Sequence, residues 1–373
     1  MTEPDDLPEL DRAEGALHPR ETPTLIGQDA AMAAFLAAHG AGRLHSGWLI
    51  TGPQGIGKAT LAYRIATHLV SAPPPGGGLF GDDPGPMPYL NPSDAALVRA
   101  GSHPRLCVIR RSHDDKGKAR NQIVIDDVRR LRGFFQLSAA DGGHRVVIVD
   151  PADDLNPNAA NAILKLLEEP PPGAVLLLIS HQPSRLLPTI RSRCRTLRCA
   201  TLGAADMAAA LAQQGAETDA PEALSELAGG SVGQAIRLVN MDGLALYADL
   251  VRLLSDLPRI DRPAAIRLAE TCIGKNSEPR FAHLLDLIDL FLSRAARAGL
   301  FGEPPVQGAP GESRLLARLS PHDGAARSWA ALQQDLSTRV RHGKAVNLDP
   351  SSLILDMLWR IEDTARSTTT AAA

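Results

Sequence analysis

Residues 48–60 read WLITGPQGIGKAT, and this stretch decides the fold. Trp48–Ile50 is a short apolar run typical of a buried strand, and Gly52–Lys58 then matches the phosphate-binding pattern G-x-x-x-x-G-K. Helical spacing begins at Leu61. In such a strand–turn–helix unit the glycines let backbone N–H groups converge on a phosphate, and the helix N-terminus adds a favourable partial charge. The stretch therefore predicts a phosphate cradle, the alternative being a glycine-rich turn without a ligand.

The predicted binding residues are the glycines of the loop, its lysine and the next two residues. They are Gly52, Gly55, Gly57, Lys58, Ala59 and Thr60. Lys58 is expected to face the outer phosphates. The position after it normally supplies a Ser or Thr hydroxyl to Mg²⁺, and here it is Ala59. Thr60 lies about 100° further round the helix, so its hydroxyl should point elsewhere. The sequence thus predicts a loop better suited to phosphate than to metal.

Composition excludes several classes of protein. The 373 residues are enough for two or three domains, and a net charge of -3 gives no strong basic field for nucleic acid. The four cysteines form no C-x-x-C pair and the 11 histidines show no metal-ligand spacing, so neither a zinc site nor a disulfide framework is indicated. Neither a signal peptide nor a membrane span is recognisable, so we expect a cytoplasmic protein.

Alternating elements predict the fold class. Apolar strands are expected at 106–109, 144–150 and 174–180, with helices between them, which is typical of a parallel α/β sheet covered on both faces. Beyond residue 200 the strand signals stop and only helical patterns remain. Residues 1–22 are predicted to be a loose arm, 366–373 a frayed tail, and 71–92 a Pro/Gly-rich insertion.

Asp150 ends a predicted strand, where the metal-binding carboxylate of a phosphate-loop protein belongs. An active ATPase of this kind is expected to carry a glutamate next, to orient the attacking water. The next residue is Pro151, and Asp153, two residues further on, need not face the same spot. Two interpretations of Asp150 remain open: a former metal ligand, or the cap of the following turn.

Arg191 and Arg193 follow the last predicted strand in a segment without a neighbouring carboxylate. A guanidinium is always charged and binds phosphate oxygens in a fork. Supplied across a subunit boundary, such an arginine can raise phosphoryl-transfer rates by roughly 10³–10⁵. Local sequence alone nevertheless favours surface arginines without a catalytic role.

Two other motifs are better explained by structure than by chemistry. Residues 229–233 match the G-x-S-x-G hydrolase elbow, but that motif needs a preceding strand and residues 221–228 predict a helix. The loop at 110–120 is rich in arginine and lysine, but it lacks interleaved aromatic residues and also contains Asp114. A solvated loop is the favoured interpretation.

Five stretches together resemble the AAA+ subunits of bacterial DNA polymerase III clamp loaders. They are TLIGQ at 24–28, GPQGIGK at 52–58, the strand at 146–150, NAILKLLEEP at 161–170 and SRC at 192–194. The resemblance covers residues 22–200 and beyond them depends on helical content and Gly230–Ser231. It implies an α/β P-loop domain at 23–200, a small helical lid at 201–243 and an all-α collar at 244–365 that joins subunits into a ring of five.

The resemblance also implies roles for single residues. In that family an arginine at the position of Arg193 is offered in trans to the ATP of a neighbouring motor subunit. Ala59 replaces the magnesium hydroxyl, Pro151 the water-positioning acid, and Gly233 the sensor arginine of an active lid. These departures imply a stator-like subunit without independent ATPase activity, which helps to load the sliding clamp on primed DNA. The alternative is an ATP-hydrolysing, gamma/tau-like motor subunit of the same machine.

Partners and cofactors follow from the same resemblance. The partners implied are the motor (gamma/tau) and delta subunits, the sliding clamp and, through the assembly, primer–template DNA. ATP or ADP is the implied ligand, at a degenerate site that includes Lys58 and Asp150. Relatives in this family often carry a four-cysteine zinc module after the phosphate-loop helix, where this chain has the cysteine-free stretch 71–92, so we expect no zinc.

Overall fold

A computed structural model describes residues 9–12, 15–71, 90–114, 116–136, 143–274, 277–346 and 348–370. The chain divides into two compact units. The first comprises residues 1–216 together with 230–234, and the second comprises 217–229 together with 235–373. The domain boundaries expected from the sequence, at 201 and 244, stay a prediction.

The first unit is built on a five-stranded parallel sheet with the order β2-β3-β4-β1-β5. The strands are β1 (Gly47–Thr51), β2 (Leu106–Ile109), β3 (Arg145–Val149), β4 (Ala174–Ser180) and β5 (Arg195–Arg198). Every residue of β1, β3 and β4 is buried, as expected for strands with helices on both faces. The predicted α/β fold with a parallel sheet is confirmed.

Seven helices surround this sheet. They are α1 (Asp29–Gly40), α2 (Lys58–Ser71), α3 (Pro92–Arg99), α4 (Ile125–Gln136), α5 (Pro157–Glu168), α6 (Pro188–Ser192) and α7 (Ala204–Gln213). The start of α5 illustrates the local logic: the Asn156 side chain accepts a hydrogen bond from Ala159 N at 2.9 Å, and Pro157 occupies the first turn. Its apolar face, with Ile163 and Leu167, packs against β3 and β4 in one continuous core.

Three elements are not predicted from the sequence: the edge strand β5 and the helices α3 and α6. The edge strand β5 reads RTLR and buries only Leu197, so it carries no apolar run by which to recognise it. Helix α3 follows the predicted Pro/Gly-rich insertion, most of which, residues 72–89, lies outside the described part of the chain.

The predicted loose arm is wrong for the residues that the structure describes. His18 and Ala16 are buried, and His18 Nε2 lies 3.3 Å from Asp11 Oδ2. Arg20 forms an ion pair with Glu9 at 2.7 Å. Two further contacts join this segment to the sheet unit: Asp11 forms an ion pair with Arg110 at 2.5 Å, and Arg20 donates through Nε to Arg99 O at 3.0 Å.

The predicted frayed tail is wrong as far as residue 370. The last helix of the chain continues to Thr370, and the hydroxyl-bearing side chain of Thr368 is only 6% exposed. Residues 371–373 lie outside the described part of the chain. Packing therefore extends the helix further than the polar sequence TTT suggests.

The second unit is all-α in its described residues, as predicted. Its helices are α8 (Pro221–Leu227), most of α9 (Val232–Asn240), α10 (Gly243–Leu254), α11 (Arg262–Glu270), α12 (Glu278–Phe301), α13 (Glu312–Leu319), α14 (Asp323–Ala345) and α15 (Pro350–Thr370). The long helices α12 and α14 pack along each other. No helix among the described residues is both long enough and apolar enough to cross a bilayer.

A buried charge network ties four helices of this unit together. Arg294 of α12 donates to Glu312 of α13 at 2.6 Å and to Glu226 of α8 at 2.6 Å. The fully buried Glu312 carboxylate also accepts from Tyr247 Oη of α10 at 2.5 Å and from Gly308 N at 2.6 Å. Since every oxygen of Glu312 is occupied, its charge is compensated inside the unit.

We predict that Glu312→Ala destabilises the chain by about 3–5 kcal/mol, because it leaves the Arg294 charge buried with its main partner removed. Thermal unfolding followed by circular dichroism measures the effect. Glu303→Ala, at an exposed glutamate, is the control and should unfold like the wild type. Equal melting temperatures for the two variants would show that the network does not support the unit.

Candidate functional site

The phosphate-type loop joins the carboxyl end of β1 to the first residue of α2. Its three predicted glycines all have positive φ angles, 146° at Gly52, 78° at Gly55 and 95° at Gly57. Side-chain-bearing residues rarely adopt these angles. The glycines are therefore required by the course of the backbone, whether or not a phosphate binds.

Lys58 is folded back onto its own loop. Its side chain is buried, and Nζ donates to the carbonyl oxygen of Gly52 at 2.7 Å and to that of Pro53. Burial lowers the pKa of Lys58 to about 8, with nearby acidic groups acting in the opposite direction. The lysine that should face outer phosphates thus satisfies its donors with loop carbonyls.

Gln28 clamps the loop to the end of β5. This buried side chain donates through Nε2 to Ile56 O at 2.9 Å and to Ala200 O at 2.8 Å, and its Oε1 accepts from Ala200 N at 3.0 Å. The sequence singles out TLIGQ only through the family resemblance. Its physical role is a three-bond amide bridge between the loop and the neighbouring strand end.

The turn at 230–233 contacts the loop from the other side. Gly233 N donates to Gly55 O at 3.3 Å, and a Cβ placed on Gly55 would lie only 2.3 Å from Ser231 Oγ. Gly233, the residue at the position of a sensor arginine, therefore meets the loop through its backbone. The Ser231 hydroxyl itself accepts from Gln234 N at 3.2 Å at the start of α9, so Ser231 is a helix cap. The element before it is α8, and the hydrolase elbow is excluded.

Asp150 lies directly after β3, near the loop lysine. Burial, reinforced by the Asp11 carboxylate and opposed by the Lys58 charge, raises the pKa of Asp150 to about 7. The turn that follows begins at Pro151 without a side-chain cap. The capping interpretation of Asp150 is therefore not supported, and its interpretation as a former metal ligand stays a prediction.

Asp153 does not replace the acid missing at Pro151. Its carboxylate accepts from Ser180 Oγ at 2.7 Å and from the backbone N–H of His181 at 2.5 Å, so it holds the turn after β4. Burial, reinforced by the Lys58 charge, lowers the pKa of His181 to about 4 and keeps its imidazole neutral. The polar residues at this strand end are engaged with one another.

The residues at the loop fit a magnesium nucleotide poorly. Ala59 offers no hydroxyl, Pro151 offers no carboxylate, and Lys58 and Gly55 are held by internal contacts. Thr60 is half-buried, and it lies one position after the residue that normally supplies a hydroxyl to magnesium. Among the described residues no group of three or more His, Cys, Asp or Glu is placed to hold a metal ion. Two groups that Mg²⁺-dependent hydrolysis commonly uses, a hydroxyl after the loop lysine and an acid after Asp150, are replaced by Ala59 and Pro151, and nucleotide binding at this loop stays a prediction.

Arg193 lies at the surface, at the end of the sheet opposite the phosphate-type loop. Its side chain is 39% exposed and forms an ion pair with Glu168 Oε1 at 3.0 Å. Its NH1 also donates to Thr189 O at 3.1 Å, which caps the short helix α6. Glu168 is distant in sequence, which is why local reasoning found no carboxylate beside this arginine.

The separation of Arg193 from the loop follows from parallel pairing. The Arg193 carbonyl lies near Gly47, at the beginning of β1, whereas the loop starts where β1 ends. The strand between them spans about 13 Å at roughly 3.3 Å per residue. Arg193 therefore lies at the end of the sheet where β1 begins, and Lys58 lies at the end where β1 stops.

Two arginines of the basic loop are paired with carboxylates. Arg110 pairs with Asp11 at 2.5 Å and Arg111 with Asp154 at 3.3 Å, and Asp114 accepts from the backbone N–H of Lys118 at 2.9 Å, which closes the loop on itself. These contacts support the structural interpretation of residues 110–120.

We predict that Asp150→Asn stabilises the chain, and that it does so more at pH 8 than at pH 5. Because the folded-state pKa is raised, the folded protein is increasingly penalised as pH rises from the unfolded-state value of 3.8 towards 7, by about 1.4 kcal/mol per pH unit. Asparagine removes that penalty. Melting temperatures of both proteins at the two pH values measure it, and a stabilisation that does not grow with pH would contradict the buried, protonated carboxyl.

Comparisons with known proteins identify the family of this chain. A family model described as "DNA polymerase III, delta subunit" matches residues 27–203. The chain is 44% identical over 195 residues to the DNA polymerase III subunit delta' of Pseudomonas aeruginosa, which covers 51% of this chain and 55% of that protein. It is 30% identical over 330 residues to the subunit delta' of Escherichia coli, covering 88% of this chain and 92% of that protein.

A more distant relative is the DNA polymerase III subunit gamma/tau of Mycobacterium tuberculosis. It is 29% identical over 179 residues, which is 45% of this chain and 27% of that protein. The aligned region thus spans about half the length of the Pseudomonas relative but nearly all of the Escherichia one. The long match to a delta' subunit, together with the P-loop sheet unit, shows that this chain belongs to the family of DNA polymerase III delta' subunits.

Proposed function

We propose that this chain is the stator-like delta' subunit of a DNA polymerase III clamp loader, which acts in DNA replication in the cytoplasm. It offers Arg193 to the ATP of a neighbouring motor subunit and takes no hydrolytic role itself. Its partners are gamma/tau-type motor subunits and a delta subunit in a five-subunit ring. The ring loads the sliding clamp, and contact with primer–template DNA is made through the assembly.

One observation carries the proposal: the exposed guanidinium of Arg193 lies at the sheet edge away from the chain's own phosphate-type loop. An arginine finger stabilises charge on a transferring phosphoryl group and must touch that group. Arg193 is about one strand length from Lys58, so the phosphate it serves must be supplied by another subunit.

The chain's own loop supports the same division of labour. A phosphoryl-transfer site needs a metal ligand after the loop lysine and a residue that positions water. Ala59 and Pro151 supply neither, and the nearest other acid, Asp153, is bound to Ser180 and His181. We separately propose that ATP or ADP binds at this loop. Binding would then stabilise the fold, and the nucleotide would not be hydrolysed.

A motor subunit is the second candidate. It is favoured by the intact G-x-x-x-x-G-K pattern, by the buried Asp150 near Lys58 and by the similarity to a gamma/tau subunit. In this alternative Lys58 leaves the loop carbonyls when nucleotide binds, and the metal is held without a loop hydroxyl.

We predict that Arg193→Ala lowers the ATPase rate of the reconstituted clamp loader. Turnover at the neighbouring site should fall by roughly 10³ or more, so the assembly loses at least that site's share. Arg191→Ala is the matched control, since Arg191 is exposed on the same short helix and should leave the rate unchanged. Equal rates for Arg193→Ala and the wild type, with assembly intact by gel filtration, would remove the finger assignment.

We also predict that the isolated chain has no Mg²⁺-dependent ATPase activity above background, and that Lys58→Ala does not alter the rate of the assembly. The reason is that Lys58 serves the loop backbone and no metal hydroxyl follows it. Phosphate release by the purified chain, with and without the substitution, is the measurement. Robust turnover that disappears in Lys58→Ala would favour the motor subunit.

A further inference from the structure

Glu168, the last residue of α5, holds the side chain of Arg193. The pair joins Glu168 Oε1 to Arg193 NH2 at 3.0 Å, and both side chains are partly exposed, at 42% and 39%. On its other side the guanidinium donates from NH1 to Thr189 O at 3.1 Å. Both terminal nitrogens of the Arg193 guanidinium are therefore paired, NH2 with a residue of α5 and NH1 with a residue of α6.

Gly47, which has no side chain, lets the fold bring Glu168 and Arg193 close together. A Cβ on Gly47 would lie 2.6 Å from Leu167 Cδ2, 3.2 Å from Arg193 O and 3.2 Å from Cys194 Sγ. The end of α5 and the end of α6 thus approach each other over the first residue of β1. The close approach sets the distance between the Glu168 carboxylate and the Arg193 guanidinium.

Electrostatics favours this arrangement, with little effect on stability. The C-terminal end of α5 carries a partial negative charge, which adds to the attraction of Glu168 for a guanidinium. An exposed ion pair nevertheless contributes little to folding. The neighbouring Glu169 is exposed and has the same charge one residue later, yet Arg193 is paired with Glu168. The ion pair with Glu168 therefore selects one orientation of the Arg193 side chain.

We propose that Glu168 is the positioning residue for Arg193, which it preorients toward a phosphate anion brought by the adjoining subunit. The inference rests on the proposed function. A free arginine side chain samples many rotamers, whereas a held one has already lost that freedom before phosphate arrives. Arginine has five N–H donors, so the hydrogen bond to Thr189 O leaves others to bind phosphate oxygens.

The test is the ATPase rate of the fully assembled clamp loader with four variants of this chain. They are Glu168→Ala, Glu168→Gln, Glu169→Ala and Arg193→Ala. The Arg193-dependent rate is the difference between wild type and Arg193→Ala. We expect Glu168→Ala to lower that rate between about threefold and thirtyfold through kcat, with the KM for ATP near the wild-type value, since only orientation in the transition state is lost.

Two further variants separate positioning from a general charge effect. Glu168→Gln keeps an oxygen acceptor for Arg193 and should retain most of the Arg193-dependent rate. Glu169→Ala removes an equal charge one residue away and should behave like the wild type. Melting temperatures and gel filtration of each complex are expected to match the wild type, because the Glu168–Arg193 pair is exposed.

The outcomes distinguish the two proposals. If Arg193→Ala itself leaves the rate unchanged, the finger assignment fails and the inference falls with it. If Arg193→Ala lowers the rate but Glu168→Ala leaves it unchanged or raises it, only the positioning role is overturned. Glu168→Ala added to Arg193→Ala should have no further effect, and an additional loss there would show that Glu168 acts independently of the arginine.

Discussion

The parallel pairing of β1 between β4 and β5 is the constraint on which the rest depends. A parallel sheet has chemically different edges, because every strand starts at one and ends at the other. The phosphate-type loop follows the end of β1, whereas Arg193 precedes β5 and lies beside the start of β1. One short buried strand, about 13 Å long at roughly 3.3 Å per residue, thus separates the two groups.

Internal contacts hold the phosphate-type loop at residues 52–58. Lys58 donates to loop carbonyls, Gln28 bridges the loop to the end of β5, and Gly233 donates to Gly55. Each contact satisfies a buried polar group that would otherwise be costly. The positive φ angles of Gly52, Gly55 and Gly57 are set by this same backbone course, so the glycine pattern has a structural role of its own.

The sequence predicted the fold better than it predicted the contacts between side chains. Apolar runs located β2, β3 and β4, and the glycine pattern located the loop after β1, because each signal is local. The edge strand β5 was missed since only Leu197 of its four residues is buried. The N-terminal arm was mistaken for a loose segment because its contacts reach residues distant in sequence, as in the ion pair of Asp11 with Arg110.

The residue types alone determined that positions 59 and 151 offer no side-chain oxygen to a metal, because the side chains of Ala59 and Pro151 contain only carbon and hydrogen. They also determined the α/β class, because periodicity is written into consecutive residues. Only the tertiary structure decided where Arg193 points and what holds it, since Glu168 reaches it through the crossing of α5 and α6 over Gly47. Contacts between residues far apart in the chain arise from packing, and no local pattern encodes them.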